Sequence, residues 1–209
     1  MRLFLHSGDV ELIRREGQRG AIRGVTVDRS ALLGKSAPER RALLVAIAAA
    51  IDDGPVSVEA AASDAGGMVD EAVALSMLAP NLILAVIADA EGLETVRRCA
   101  ARGIATHVTG CRRAGDTVLA AWAGARWLSP LAGTLPAGDD LVIDLPRMAV
   151  GTCRAYGRST RVLVGPLREV GDVVVAAAAG ADAVSVVYPL LQRLLGRPTG
   201  ARADAGLSR

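Results

Sequence analysis

Lysine is almost missing from this chain: of the 24 lysine and arginine residues, only Lys35 is a lysine. Aromatic residues are nearly as scarce, and Phe4, Trp122, Trp127, Tyr156 and Tyr188 are all there are. A chain that is 51% hydrophobic with so few rings must fill its interior with Ala, Val, Leu and Ile. Such small side chains suit α/β layers, in which helices sit close on a sheet. Cysteine is limited to Cys99, Cys111 and Cys153, an odd number without CxxC spacing. That excludes a disulfide framework and fits a reduced, cytoplasmic setting. There is no long basic run. The net charge is only +2, and the pairs Arg14-Arg15, Arg40-Arg41, Arg97-Arg98 and Arg112-Arg113 are dispersed without interleaved aromatics, which argues against a nucleic-acid partner. The longest aliphatic run, Val173 to Ala179, is too short to cross a bilayer, so no membrane partner is expected. The N terminus begins a strand at once and is not read as a signal peptide.

What is present is a regular alternation. Short β-branched runs are expected to form strands at Arg2–Leu5, Ile22–Thr26, Val56–Glu59, Asn81–Ile87, Ile104–Thr109, Trp127–Ser129, Thr160–Val164 and Ala183–Val187. Between them the pattern predicts helices at Asp9–Glu16, with Ser7 as cap, and at Pro38–Ala50, Met68–Met77, Glu91–Arg102 and Gly115–Ala123. Further helices are predicted from about Asp140 to Tyr156, and at Val170–Ala179 and Pro189–Leu195. Eight βα units in a chain of this length predict a single compact (β/α)8 barrel over residues 1–195, followed by a loose tail at 196–209. Continuous apolar strands agree with a parallel sheet covered on its outer face. A doubly wound open sheet is the competing fold, but no GxGxxG follows a strand.

Several short segments sharpen this reading. They are Leu3-Phe4-Leu5-His6-Ser7-Gly8-Asp9, Gly24-Val25-Thr26-Val27-Asp28-Arg29-Ser30, Glu91-Gly92-Leu93, Thr106 to Thr109 and Ala123-Gly124-Ala125. In these the chain resembles the small bacterial transaldolases, the group that includes fructose-6-phosphate aldolase. The resemblance implies a transaldolase-like barrel. In that family a lysine on the fourth strand forms a Schiff base with the substrate, and here the matching position is Ala85. The family's strand-one aspartate corresponds to His6 and its strand-two asparagine to Asp28. Its strand-six tyrosine corresponds to Leu131, its phosphate-binding arginine to about Thr134 and its strand-seven serine to Pro166. Thr109 is retained, Glu59 stands where the family has Glu or Gln, and Gly165 and Arg168 keep part of the phosphate corner. The resemblance also implies rings of five subunits joined by a long C-terminal helix, which Gly196-Arg197-Pro198 would cut short here.

Catalytic groups in such a barrel gather at the C-terminal ends of strands. Five residues are the catalytic candidates. His6 is the natural proton carrier, and Asp28 would orient it, act as a base or cap the next helix. Glu59 is read as a buried carboxylate that needs a partner. His107 and Thr109 share the inward face of strand five, and His107 could equally be a core histidine. Thr26, Ser129, Gly165 and Arg168 are the substrate-binding candidates. Cys111, beside Arg112 and Arg113, could be a nucleophile with a lowered pKa, but the favoured reading is a small structural residue. Two histidines and two carboxylates have the composition of a metal site, but their spacing matches no ligand motif, so neither metal nor cofactor is expected.

The expected function is a repurposed transaldolase-like enzyme, a lyase, aldolase-type or cyclase/dehydratase of specialised metabolism. It would act on a small carbonyl or polyhydroxylated metabolite by acid–base chemistry without a Schiff base. The alternative is an inactive relative that binds a metabolite or partner protein. A homo-oligomer, most simply a dimer, is expected.

Overall fold

The computed structural model describes residues 1–51, 54–131, 144–155 and 159–196. Eight parallel strands close into a barrel in chain order: β1 (Arg2–His6), β2 (Val25–Val27), β3 (Val56–Glu59), β4 (Leu82–Ile87), β5 (Thr106–Cys111), β6 (Trp127–Pro130), β7 (Arg161–Leu167) and β8 (Ala183–Val186), with β8 pairing back onto β1. Helices α1 (Val10–Gln18), α2 (Ala37–Ala49), α3 (Ala65–Leu78), α4 (Ala90–Ala100), α5 (Ala114–Ala123), α6 (Leu145–Ala155), α7 (Val170–Ala178) and α8 (Tyr188–Leu194) alternate with them, and a 3-10 turn spans Arg29–Leu32. This is the expected (β/α)8 barrel.

Its apolar residues divide into two cores. The larger lies between strands and helices and is almost wholly aliphatic, as the shortage of rings required. The smaller plugs the barrel: Phe4, Ile83, Trp127, Leu163 and Ala183 pack together inside it. Phe4 meets Trp127 edge-on, with centroids 5.3 Å apart and an interplanar angle of 62°, the arrangement that aromatic quadrupoles favour. Gly24 makes room for this plug, because a Cβ there would stand 2.7 Å from the Phe4 ring. With the floor sealed, the inward positions one pleat further along each strand, among them His6, Thr26, Ala85, His107, Ser129 and Ser185, border an open cavity.

Several local expectations are corrected. The α1 cap is Asp9, whose carboxylate accepts from the Leu12 amide at 3.0 Å; Ser7 instead accepts from the Asp9 amide at 3.1 Å. Strand two is Val25–Val27, because the entering chain pairs with β1 irregularly, through Arg23 N to Leu3 O and Leu5 N to Gly24 O. Asn81 precedes β4, and its amide nitrogen lies 3.0 Å from the Ala48 carbonyl, tying β4 to the end of α2. Strand five runs from Thr106 to Cys111, two residues later at each end than expected. Helix α6 is described from Leu145 to Ala155. Its expected start near Asp140, its expected end at Tyr156, Thr134, and the tail beyond Gly196 lie outside the described residues. Among the described residues no helix is long and apolar enough to cross a membrane.

Candidate active site

The chemistry-bearing side chains collect in a cavity of about 190 Å³ at the C-terminal mouth of the barrel. That is below the roughly 300–1,000 Å³ of pockets that hold drug-sized ligands, so it suits a small metabolite. On one wall, His6 at the end of β1 stands in register with Thr26 of β2. Its Nδ1 lies 2.9 Å from Thr26 Oγ1, which lies 2.7 Å from Ser185 Oγ on β8. Its Nε2 lies 3.2 Å from Asp28 Oδ2.

Asp28 does two jobs with its two oxygens. Oδ1 caps the 3-10 turn, accepting from the Ala31 amide at 3.2 Å and from the Ser30 hydroxyl, while Oδ2 faces His6. The Ser30 hydroxyl is the main cause of a pKa held below the usual carboxylate value, helped by the Ala31 amide and His6 and opposed by partial burial. An ionised Asp28 accepts from His6 Nε2–H. With the proton on Nε2, Nδ1 accepts from the Thr26 hydroxyl, and Ser185 donates to Thr26. The result is a line from carboxylate through imidazole to a hydroxyl on the cavity wall.

The opposite wall holds a second line. His107 Nδ1 lies 2.7 Å from Ser57 Oγ and Nε2 lies 2.8 Å from Ser129 Oγ. Ser129 in turn donates to the Leu163 carbonyl at 2.6 Å. Since Ser129 spends its proton there, it accepts from His107 Nε2–H, and Ser57 donates to Nδ1. Complete burial pushes the His107 pKa down to about 3. His107 is thus a neutral imidazole clamped between β3, β5 and β6. Ser129 helps hold it while also lining the cavity.

The remaining candidates separate. Glu59 lies beside Ala85 in register, and Ala85 beside His107. Glu59 is not buried, as the sequence suggested, but exposed at the rim, where it accepts from the Arg29 amide at 2.9 Å. Thr109 borders the cavity and donates to the Val86 carbonyl at 3.2 Å. Gly165 also lines it; a Cβ there would meet the Ser185 carbonyl at 2.4 Å, so glycine lets β7 crowd that serine. Arg168 is exposed and is not among the residues lining the cavity. Cys111 points into the aliphatic core, because the register of β5 shifts at Gly110, where φ is +68°. Burial raises its thiol pKa to about 12, with Asp116 adding to the rise, so Arg112 and Arg113 do not activate it and the structural reading holds. Among the described residues no group of three or more His, Cys, Asp or Glu could hold a metal ion.

Ser57 and Ser185 were not among the expected site residues. The signal was available: each is a lone hydroxyl among the apolar residues of its strand, and Ser57 stands two residues before the lumen candidate Glu59.

Comparison with known proteins bears on this arrangement. Residues 3–206 match the family model described as Transaldolase/Fructose-6-phosphate aldolase. The chain is 36% identical over 212 residues to a protein named probable transaldolase from Pelotomaculum thermopropionicum, covering 100% of this chain and 95% of that one. It is equally similar, at 36% and with the same coverage, to one so named from Moorella thermoacetica. It is 34% identical to one from Roseiflexus castenholzii, covering 100% of this chain and 94% of that one. A crystal structure from Coccidioides immitis, described as a fructose-1,6-biphosphate aldolase, superposes with a TM-score of 0.61 at 16% identity, covering 100% of this chain and 82% of that one, which speaks for the barrel alone. The full-length match to the family model and to these relatives places the chain in the transaldolase/fructose-6-phosphate aldolase family.

Proposed function

We propose that this protein is a transaldolase-like enzyme that has exchanged imine chemistry for acid–base chemistry on a small carbonyl or polyhydroxylated metabolite. The observation that carries this reading is the line Asp28–His6–Thr26 on the wall of the cavity, with separations of 3.2 and 2.9 Å. A carboxylate behind an imidazole behind a hydroxyl is the geometry by which a proton is drawn from a substrate. A substrate C–H or O–H gives its proton to Thr26 Oγ1 as the Thr26 proton passes to His6 Nδ1. The imidazolium so formed stays paired with Asp28, and the return of both protons resets the site. Ser185 keeps Thr26 oriented, and the rim carboxylate of Glu59 faces the same space. Deprotonation beside a carbonyl, carbon–carbon cleavage and dehydration all need this step. An imine at position 85 is outside the reach of alanine, and Lys35, the only lysine, lies in the exposed turn before α2.

The test is turnover of short carbonyl and polyol substrates across pH. A bell-shaped profile is expected, with a loss of about 10²–10⁴-fold in the His6→Ala/Asp28→Ala protein. Thr26→Val should lose nearly as much while Thr26→Ser keeps most of the rate. Borohydride added with a turned-over carbonyl substrate should leave the protein mass unchanged. Unaltered turnover in the double variant, or a reduced adduct on the protein, would reject the assignment.

The alternative, a metabolite-binding relative without turnover, is favoured by the clamped His107, which has no free nitrogen. Binding of such metabolites without consumption at any pH would establish it.

A further inference from the structure

Ala85 borders two cavities. A second cavity, of about 360 Å³, opens at the mouths of β3 and β4 and shares Glu59, Ala85 and Thr109 with the first. Ala85 gives this shared wall only a methyl group, beside Glu59 and Thr109. The two spaces differ in character. The lumen side is walled by the hydroxyl and imidazole lines, whereas the outer one sets the apolar Ala60, Ala61, Ala62, Met68 and Ile87 beside the charged Arg29, Glu59 and Asp89. Ile87 is 64% exposed, a large apolar side chain left uncovered where strand-end residues normally meet substrate. The cation bordering this outer cavity is Arg29. Its backbone N–H is pinned by Glu59 at 2.9 Å, yet its guanidinium has no hydrogen bond or ion pair among the described residues. The neighbouring carboxylates do not pair with it: Glu59 accepts that amide, and Asp89 accepts the Gly92 amide at 2.8 Å.

Taking the lumen as the seat of a polar head group, as argued above, we propose that the two cavities form one site for an elongated metabolite. Its carbonyl or hydroxyl head lies by Thr26 and His6. An aliphatic segment passes over Ala85, and a terminal carboxylate meets Arg29. Ala85 is then a specificity-determining residue: any larger side chain there would part the two compartments and restrict the site to short ligands.

The test is calorimetric titration of the full chain with hydroxyacetone, with levulinate, and with homologues of levulinate lengthened by one to four methylene groups. Each acid is run beside its uncharged amide. Affinity should rise with length by roughly tenfold or more at the optimum, the worth of one charge-assisted contact, and the amides should show little of that gain. Arg29→Gln and Ala85→Leu should each bring the long-to-short affinity ratio to about one, with thermal unfolding recorded to show that both variants are folded. Should Ala85→Leu fail to fold, Arg29→Gln and the amide series decide the matter. Hydroxyacetone binding with no gain from length, or a gain that Arg29→Gln leaves intact, overturns this proposal alone. Failure of every compound, hydroxyacetone included, overturns the lumen reading and this proposal with it.

Discussion

The two imidazoles of this chain, His6 and His107, each engage both ring nitrogens, yet what lies behind them differs. A carboxylate backs His6 and can compensate a positive ring. Hydroxyls and a carbonyl surround His107 in full burial, and nothing there compensates a charge, which is why its pKa falls to about 3. This difference has a measurable consequence for stability. An unfolded chain takes up a proton at His107 as pH drops below about 6.5, while the folded state refuses it until about 3. The unfolded state therefore binds more protons across that window. Stability contributed at His107 is complete above the window and is lost as pH falls through it, at up to about 1.4 kcal/mol per pH unit. Urea unfolding of wild type and His107→Gln at a series of pH values should show a shallower acid slope in the variant. Equal slopes would mean that His107 is not held neutral. At neutral pH, His107→Leu should cost about 2–4 kcal/mol, since it strands the Ser57 and Ser129 hydroxyls without their partner.

At the scale of elements, the segment Glu91-Gly92-Leu93 shows what a short motif is for. Asp89 caps α4 through the Gly92 amide. Glu91 reaches back to accept from the Ala65 amide at 2.7 Å, joining the starts of α3 and α4. Gly92 is needed because α4 begins hard against β4, and a Cβ there would fall 2.0 Å from the Ile87 carbonyl. That carbonyl is backbone and cannot move without shifting β4, whose Ala85 and Ile87 border the site. Gly92→Ala should thus destabilise by about 2 kcal/mol or more and weaken ligand binding together with stability. Gly115 of α5 is the control, since nothing lies within 4 Å of its added Cβ. Gly115→Ala should stabilise by about 0.5–1 kcal/mol, as a smaller unfolded-state entropy predicts. Chemical denaturation of the two variants decides it; equal effects would show that helix propensity, rather than the approach to β4, governs Gly92.

For the molecule as a whole, the outer surface bears on assembly. Helix α8 closes at Leu194, and Gly196 follows with φ +66°, so within the described residues no arm extends from the barrel. Apolar side chains remain uncovered on the outer helices: Trp122 is 70% exposed, and Leu119 of the same helix and Met148 of the adjoining α6 are exposed as well. Uncovered faces of this kind mark association surfaces in soluble proteins. We propose a homo-oligomer smaller than ten subunits, most simply a dimer. Light scattering after gel filtration should report it, and Trp122→Glu should lower the mass if α5 forms the contact. A stable decamer, or a monomer at micromolar concentration, would reject the proposal.

How far the sequence alone determined this protein follows from the range of the forces involved. Alternation of β-branched runs with helical periods is local, and so it specified eight βα units and hence a closed barrel. The aliphatic composition specified a core without a large aromatic cluster, apart from the plug around Phe4 and Trp127. The parity of β1, β2 and β5 brought His6, Thr26, His107 and Thr109 to the lumen. Their roles were not local. Both imidazoles lie on apolar strands with inward parity; only closure of the barrel set Asp28 behind one and Ser57 and Ser129 around the other. Strand ends were misplaced by up to three residues, as at Val25 and Leu167, and the α1 cap by two, because local signals such as those of Asp9 and Ser7 compete and tertiary contacts choose between them. Of the two readings of Cys111 the structural one holds, because a single irregularity at Gly110 reverses which face a residue presents. Glu59 was expected in the interior and lies on the rim, because β3 ends there and the chain turns outward into the second cavity. Burial and charge compensation depend on groups far apart in the chain, and only the closed tertiary structure brings those groups together.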